Sequence, residues 1–232
     1  VSARNYLALC KAVVAELGIQ GGNGPASVFN QTRELKNIVD WTAEADLYIQ
    51  QLWTDWKFLW TEQSIAVGAG LDTFSTSAPI GFPDEERGLI VGKGTSSAYR
   101  VKWMPYEEFF DLYEMGDKQA NTRIANWTLT PDGRIKLSHL TPSGITQFYA
   151  QYHRKPYRMI DNTDLSPIPD TFDRIIVVRT KITYAEREDA PEIMSGASAE
   201  YADLLEKLEA FQLPKHRHGR TSRNVGLAGT VE

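Results

Sequence analysis

From Thr32 to Trp60 the chain runs TRELKNIVDWTAEADLYIQQLWTDWKFLW, and Leu35, Ile38, Thr42, Ala45, Ile49, Leu52 and Trp56 recur at alternating spacings of three and four. That spacing puts all seven on one stripe of a single long helix, and the stripe requires a partner. A shorter helix is expected over Asn5 to Leu17, where Tyr6, Leu9, Val13 and Leu17 share a face. Gly18 is placed to end it in a left-handed conformation, with Ile19 folding back on it. The breaker-rich stretch from Gln20 to Asn30 joins the two helices as an antiparallel pair.

After Trp60 the helical period disappears. Short apolar clusters at Ile65 to Val67 and Leu89 to Val91, and an alternation at Tyr99, Val101 and Trp103, predict strands with long connections between them. Pro105 suits a first helical position, and Tyr106, Phe109, Phe110 and Tyr113 follow on one face of a short helix that Gly116 would end. WTLT, Pro131-Asp132-Gly133 and RIKL predict a β-hairpin within Asn126 to Leu140. A further strand follows, with Phe148, Ala150 and Tyr152 on one side of it.

Pro156 to Pro169 turns the chain out of the strand region. Ile175 to Val178 are good strand residues, but Phe172, Ile175, Val178, Ile182 and Ala185 keep helical spacing, and Asp170 is a reasonable N-cap, so a helix is predicted near Asp170 to Asp189. A last helix is expected at about Ser198 to Gln212, with Tyr201, Leu204, Leu205, Leu208 and Phe211 as its apolar face and Pro214 as its stop.

Composition changes this picture in two places. Trp41, Trp53, Trp56 and Trp60 are four of the chain's six tryptophans, and each buries roughly 150 to 250 Å². The net charge of −5 over 232 residues argues against a general nucleic-acid binder, which requires a basic face. Beyond Leu213, however, Lys215, Arg217, Arg220 and Arg223 face Glu232 alone, so this tail carries +3 and the rest of the chain −8. The tail loses the apolar pattern and reads as an extended arm that orders by lying on an acidic surface.

Candidate chemistry adds little. Cys10 is the only cysteine, which excludes an intrachain disulfide and reads as a small buried hydrophobe rather than a reactive thiol. Gly21, Gly22, Gly24 and Pro25 suggest a phosphate cradle, but no Gly-Lys-Ser/Thr follows and no strand precedes, so a connecting turn is expected. Asp84, Glu85 and Glu86 are adjacent acids on a turn, and Glu107 and Glu108 suit the first turn of a helix through its dipole. His153 beside Arg154 lacks a serine or cysteine partner motif. His216 and His218 are too few for a metal site. No metal, cofactor or catalytic residue is therefore expected. Lys11 and Glu16 interrupt the apolar segment from Leu7 to Leu17, which does not read as a signal peptide, and no run approaches the roughly 18 apolar residues of a membrane span.

The opening NYLALCKAVVAELG, the helix RELKNIVDWTAEADLYIQQLWTDWKFLW, the middle WMPYEEFFDLY, and QFYAQYHRKPYRMIDNTDLSPIPDTFDRIIVVRTKITYAERED followed by LLEKLEAFQLP resemble, in that order, the head-to-tail adaptor proteins of tailed bacteriophages. The resemblance covers most of the chain and rests on diffuse patterns. It implies an α+β fold: a helical bundle from residues 1–60 and 161–213, an inserted antiparallel β-rich region over 61–160 with one short helix, and an extended basic arm over 214–232. It also implies a non-enzymatic homo-oligomeric ring of twelve subunits in the virion. The ring would bind the portal protein on one side and a tail nozzle or tail tube protein on the other, around a passage for double-stranded DNA. Lys215, His216, Arg217, His218, Arg220 and Arg223 are then candidates for binding the portal or a neighbouring subunit, and Trp41 and Trp60 for subunit contacts. An acidic body would repel DNA phosphate and so avoid sticking to it. Two other readings stand beside this one. One is a carbohydrate or cell-surface ligand-binding module stacking on Trp103, Trp127 or Tyr149, and the other is a hydrolase using Asp84 to Glu86 or Glu107 to Asp111.

Overall fold

A computed structural model describes residues 3–19, 24–75, 80–83, 88–115 and 123–213. Gly21, Gly22, Asp84, Glu85, Glu86, Gly116 and the basic arm lie outside the described residues. The first helix, α1 (Tyr6–Leu17), starts where the Asn5 side chain accepts from the Ala8 amide at 2.9 Å and ends at Gly18, whose φ of 65° is left-handed. Both signals were local. Helix α2 covers Arg33–Gln51 only, so the single long helix expected to reach Trp60 is not found. Leu52 and Trp56 keep the helical spacing, but the buried Trp56 indole instead donates to the Ile49 carbonyl at 3.0 Å. That carbonyl also accepts from the Leu52 nitrogen at 3.3 Å, so the helix closes there with a tightened last turn and the chain folds back beneath α2.

Strand β1 (Trp60–Ala66) then begins a sheet completed by β2 (Thr73–Phe74), β3 (Ile80–Pro83), β4 (Leu89–Val91), β5 (Tyr99–Trp103), β6 (Asn126–Leu129), β7 (Ile135–Leu137) and β8 (Gln147–Arg154). Its order is β1-β8-β4-β5-β6-β7-β2, with β3 also paired to β8. One edge of β8 takes β1 along its whole length, while the other takes β4 at residues 148–150 and β3 at 152–154. Gly81 is required there: a Cβ would lie 2.6 Å from the Lys155 nitrogen and 2.7 Å from the His153 oxygen, both backbone atoms. The hairpin β6–β7 forms as its turn chemistry predicts, with Gly133 at a φ of 81°.

Between β5 and β6 lies α3 (Tyr106–Phe109), continued by a π-helical turn over Phe110–Glu114, and β6 returns parallel to β5. Helix α4 (Arg174–Arg187) follows a 3-10 turn at Asp170–Phe172. Helix α5 (Pro191–Gln212) starts seven residues before the expected Ser198, with Pro191 in its first turn. Helices α1, α2 and α5 all pack on α4.

The expected fold, a helical bundle carrying an inserted antiparallel β region, is therefore corrected. The protein is of mixed α/β class, dominated by a curled, half-barrel-like sheet that has eight strands among the described residues, with five helices there. The sheet is also mixed rather than antiparallel, through the β5–β6 pair. Five of its strands hold only two to four residues each, such as Thr73–Phe74 and Ile135–Leu137, too short to show a period of two. The extended arm of that expectation lies outside the described residues.

Among the described residues two large apolar cores result, beside a small cluster of Val178, Ile182 and Ala197 between α4 and α5. One lies among the helices and includes Leu9, Val13, Ile38, Ile49, Trp56, Leu59, Met159 and Ile176. The other belongs to the sheet and includes Ile65, Leu89, Val101, Trp127, Phe148 and Tyr152. Trp56 occupies the first core just before the chain enters the second. Trp56→Ala should cost about 3–5 kcal/mol, the usual range for deleting a buried aromatic; a loss below about 1 kcal/mol in urea unfolding would show that the turn does not depend on this indole.

Candidate interaction surfaces

Residues 155–168 form a strap that leaves β8 and crosses α2 and the start of α1 before α4. Three sets of polar contacts fix it. The Gln50 amide brackets Tyr157, its Nε2 donating to the Tyr157 carbonyl at 3.0 Å and its Oε1 accepting from the Tyr157 nitrogen at 3.1 Å. Asp46, fully buried, accepts from Gln50 Nε2 at 2.8 Å and from the Ser166 hydroxyl. Asn162 Oδ1 accepts from the Val28 nitrogen at 2.7 Å, and the Asn162 carbonyl accepts from the Leu7 nitrogen. Arg158 adds a surface pair with Asp40 at 3.3 Å, which contributes little by itself.

Held this way, the strap exposes apolar side chains: Ile160 is 65% exposed and Leu165 51%, with Tyr157 beside them. A hollow of about 300 Å³ between Val28, Val39, Asp40, Arg158 and Ile160 adjoins them. A second exposed apolar group sits on α3 and its π turn, where Phe110 is 41%, Leu112 63% and Met115 76% exposed. The sequence pattern put Phe109 and Phe110 on one face, but neighbours in a helix point about 100° apart. Phe109 takes the core and Phe110 remains outside.

A larger cleft of about 570 Å³ lies between α2 and α4, lined by Glu44, Tyr48, Gln51, Arg179, Thr183, Glu186 and Arg187. The Arg179 guanidinium covers the Tyr48 ring at 4.8 Å, so the largest aromatic face in the cleft is already occupied.

The residues singled out in the sequence do not converge. Trp41 is half-buried on α2 with its ring edge-on to Tyr184, centroids 6.4 Å apart. Trp60 is half-buried at the start of β1, opposite His153. Lys215, His216, Arg217, His218, Arg220 and Arg223 lie outside the described residues, as do Asp84 to Glu86. Glu107, Glu108 and Asp111 are exposed on and just after α3. Trp127 is fully buried and offers no face to an external sugar, and Tyr149 lies beneath the Lys93 ammonium at 4.9 Å. Cys10 is buried, and desolvation pushes its thiol up to about 12. Among the described residues no three His, Cys, Asp or Glu side chains gather as a metal-holding group, and no helix is long and apolar enough to cross a membrane. The strap and the exposed side of α3 carried no motif; the one signal available was an apolar residue at every few positions of a Pro- and Asp-rich connection.

Compared with models of known protein families the chain matches none, and no curated protein sequence matches it.

Asp46 is the unusual titratable group of this region. Burial raises its carboxyl to about 6, against the opposing effect of the Ser166 and Gln50 hydrogen bonds. The folded state therefore takes up a proton at higher pH than the unfolded chain. This group imposes no cost below about pH 4, a growing cost as pH rises toward 6, and its full cost above, on the order of 3 kcal/mol. The stability of Asp46→Asn relative to the parent should thus shift in the variant's favour between pH 4.5 and 7.5, whatever the fixed offset from its changed hydrogen bonds. Urea titrations at these two pH values read the shift, and a difference that does not change with pH would contradict it.

Proposed function

We propose that the protein is a structural component of a phage virion, a head-to-tail adaptor that assembles as a homo-oligomeric ring of twelve copies. On this reading it joins the portal to a tail nozzle or tail tube protein and surrounds the DNA exit channel without reading its sequence. The observation that carries the proposal is the exposure of large apolar side chains in groups: Phe110, Leu112 and Met115 on one turn of helix, and Tyr157, Ile160 and Leu165 on a strap held by buried polar bonds. Scattered exposed apolar residues are normal, but grouped ones mark surfaces that meet other proteins. The resemblance in segment order supplies the kind of assembly. Trp41 and Trp60, both half-buried in the single chain, are the proposed subunit contacts. The −8 body suits a channel wall that must not hold DNA phosphates.

The arm, through Lys215, Arg217, Arg220 and Arg223, is the proposed attachment to the portal or an adjacent subunit, because its charge is opposite to that of the body. A chain ending at Pro214 should still fold and unfold cooperatively in urea while its attachment to purified portal weakens at least tenfold. Undiminished attachment would remove the arm from the proposal.

A further inference from the structure

Among the described residues β1 ends the sheet with its outer side open. The Val67 nitrogen donates to the Thr146 carbonyl at 3.0 Å, and the Arg154 nitrogen donates to the Leu59 carbonyl at 2.9 Å. In an antiparallel pair the residues that bond the neighbour alternate, so 61, 63, 65 and 67 turn their backbone groups toward β8. Glu62, Ser64 and Ala66 turn theirs away, and their outward backbone groups have no partner among the described residues. Folded proteins guard such edges with proline, bulges or charge. This edge carries no proline or bulge, and its one charge, Glu62, is drawn aside to Lys93 and Gln151. Ser64 and Ala66 are small and exposed. The opposite edge of the sheet, β2, has only Thr73–Phe74 and offers no comparable length.

We propose that the β1 edge is completed by residues 225–231 of the same chain, added as one more strand. The segment VGLAGTV is seven residues long, as is β1, and has no charge and no proline. Val225, Leu227 and Val231 are spaced by multiples of two, which places them on one face of an extended chain, where they continue the sheet core past Ile65 and Val67. Gly226, Ala228 and Thr230 then fall on the other face, next to the small Ser64 and Ala66 of β1.

The chain is also in the right place. Helix α5 ends where the Gln212 carbonyl accepts from the Lys57 nitrogen at 3.3 Å, three residues before β1 begins. The eleven residues 214–224 span up to roughly 36 Å when extended, enough to reach either end of a seven-residue strand of about 23 Å. A tether of this length holds the segment at an effective concentration near millimolar, which favours it over a free competitor. Main-chain bonds supply the affinity in such strand addition and alternate side chains the specificity.

Amide hydrogen exchange on the isolated 232-residue chain tests this without any portal, so the outcome is separate from that of the adaptor proposal. The amides of Glu62, Ser64 and Ala66 should exchange at least tenfold more slowly in the full chain than in one ending at Leu213. Leu227→Pro, which removes a donor while keeping every basic residue, should abolish the protection, whereas replacing Lys215, Arg217, Arg220 and Arg223 by glutamine should leave it. A synthetic peptide of residues 221–232 added to the shortened chain should restore it as its concentration rises. Equal exchange in the full and shortened chains overturns the proposal. Protection that survives the shortening, or that appears only with a doubling of mass, also overturns it and assigns the edge to a second copy.

Discussion

Between Gln51 and Trp60 the chain must turn a helix into a strand, and the burial of Trp56 under the end of α2 is the interaction on which the rest of the fold depends. Its indole bonds the Ile49 carbonyl, its ring stacks on Phe58 at 5.1 Å, and Leu59 follows it into the same core. Trp60 is thereby delivered to the edge of β8 in register with His153. From there the dependence is sequential. β1 pairs with β8 along its length, β8 organises β3 and β4 on its other side, and its end continues into the strap. The strap then returns to α2 through Gln50 and Asp46, one and five residues before Gln51.

The circuit closes through polar groups in an apolar setting. Gln50 is fully buried, but both ends of its amide are engaged by the Tyr157 backbone, so it holds the strap at one position rather than merely against the helix. Asp46 is different in kind. It is a buried carboxylate whose acceptor bonds come from neutral donors, and burial dominates its titration. Such a group is costly to ionise, and fixed geometry is what it offers in return. That geometry keeps Tyr157, Ile160 and Leu165 turned outward instead of collapsing onto α1. At the other end of the strap, Arg4 forks onto Asp173 at 2.6 and 2.7 Å, fastening the N-terminus to the start of α4.

Much of the local structure was legible because its signals are local. Asn5 and Gly18 bound α1, Asp132-Gly133 turns the hairpin, and Phe148, Ala150 and Tyr152 mark the inner face of β8. The end of α2 was not legible, because Leu52 and Trp56 continue the helical spacing and only the tertiary bond to Ile49 shows that the helix has stopped. The weight of the sheet was missed for a related reason. Strands β2 and β3, of two and four residues, are made by pairing with β7 and β8, not by their own pattern. The parallel join of β5 to β6 depends on where α3 packs, which no residue pattern announces. Of the candidate contacts, Trp41 and Trp60 stand out by residue type. The strap becomes visible only when a buried amide is seen to hold it.

Taken together, the chain presents a fastened strap with an outward apolar surface, a second apolar group on α3 and its π turn, and a basic arm in its sequence, features suited to assembly with other chains. The most direct test is the mass of the purified protein, by sedimentation or native mass spectrometry, alone and mixed with purified portal. The account predicts a complex that contains both proteins, with several copies of this chain on each portal. A chain that sediments unchanged in the presence of portal would contradict it.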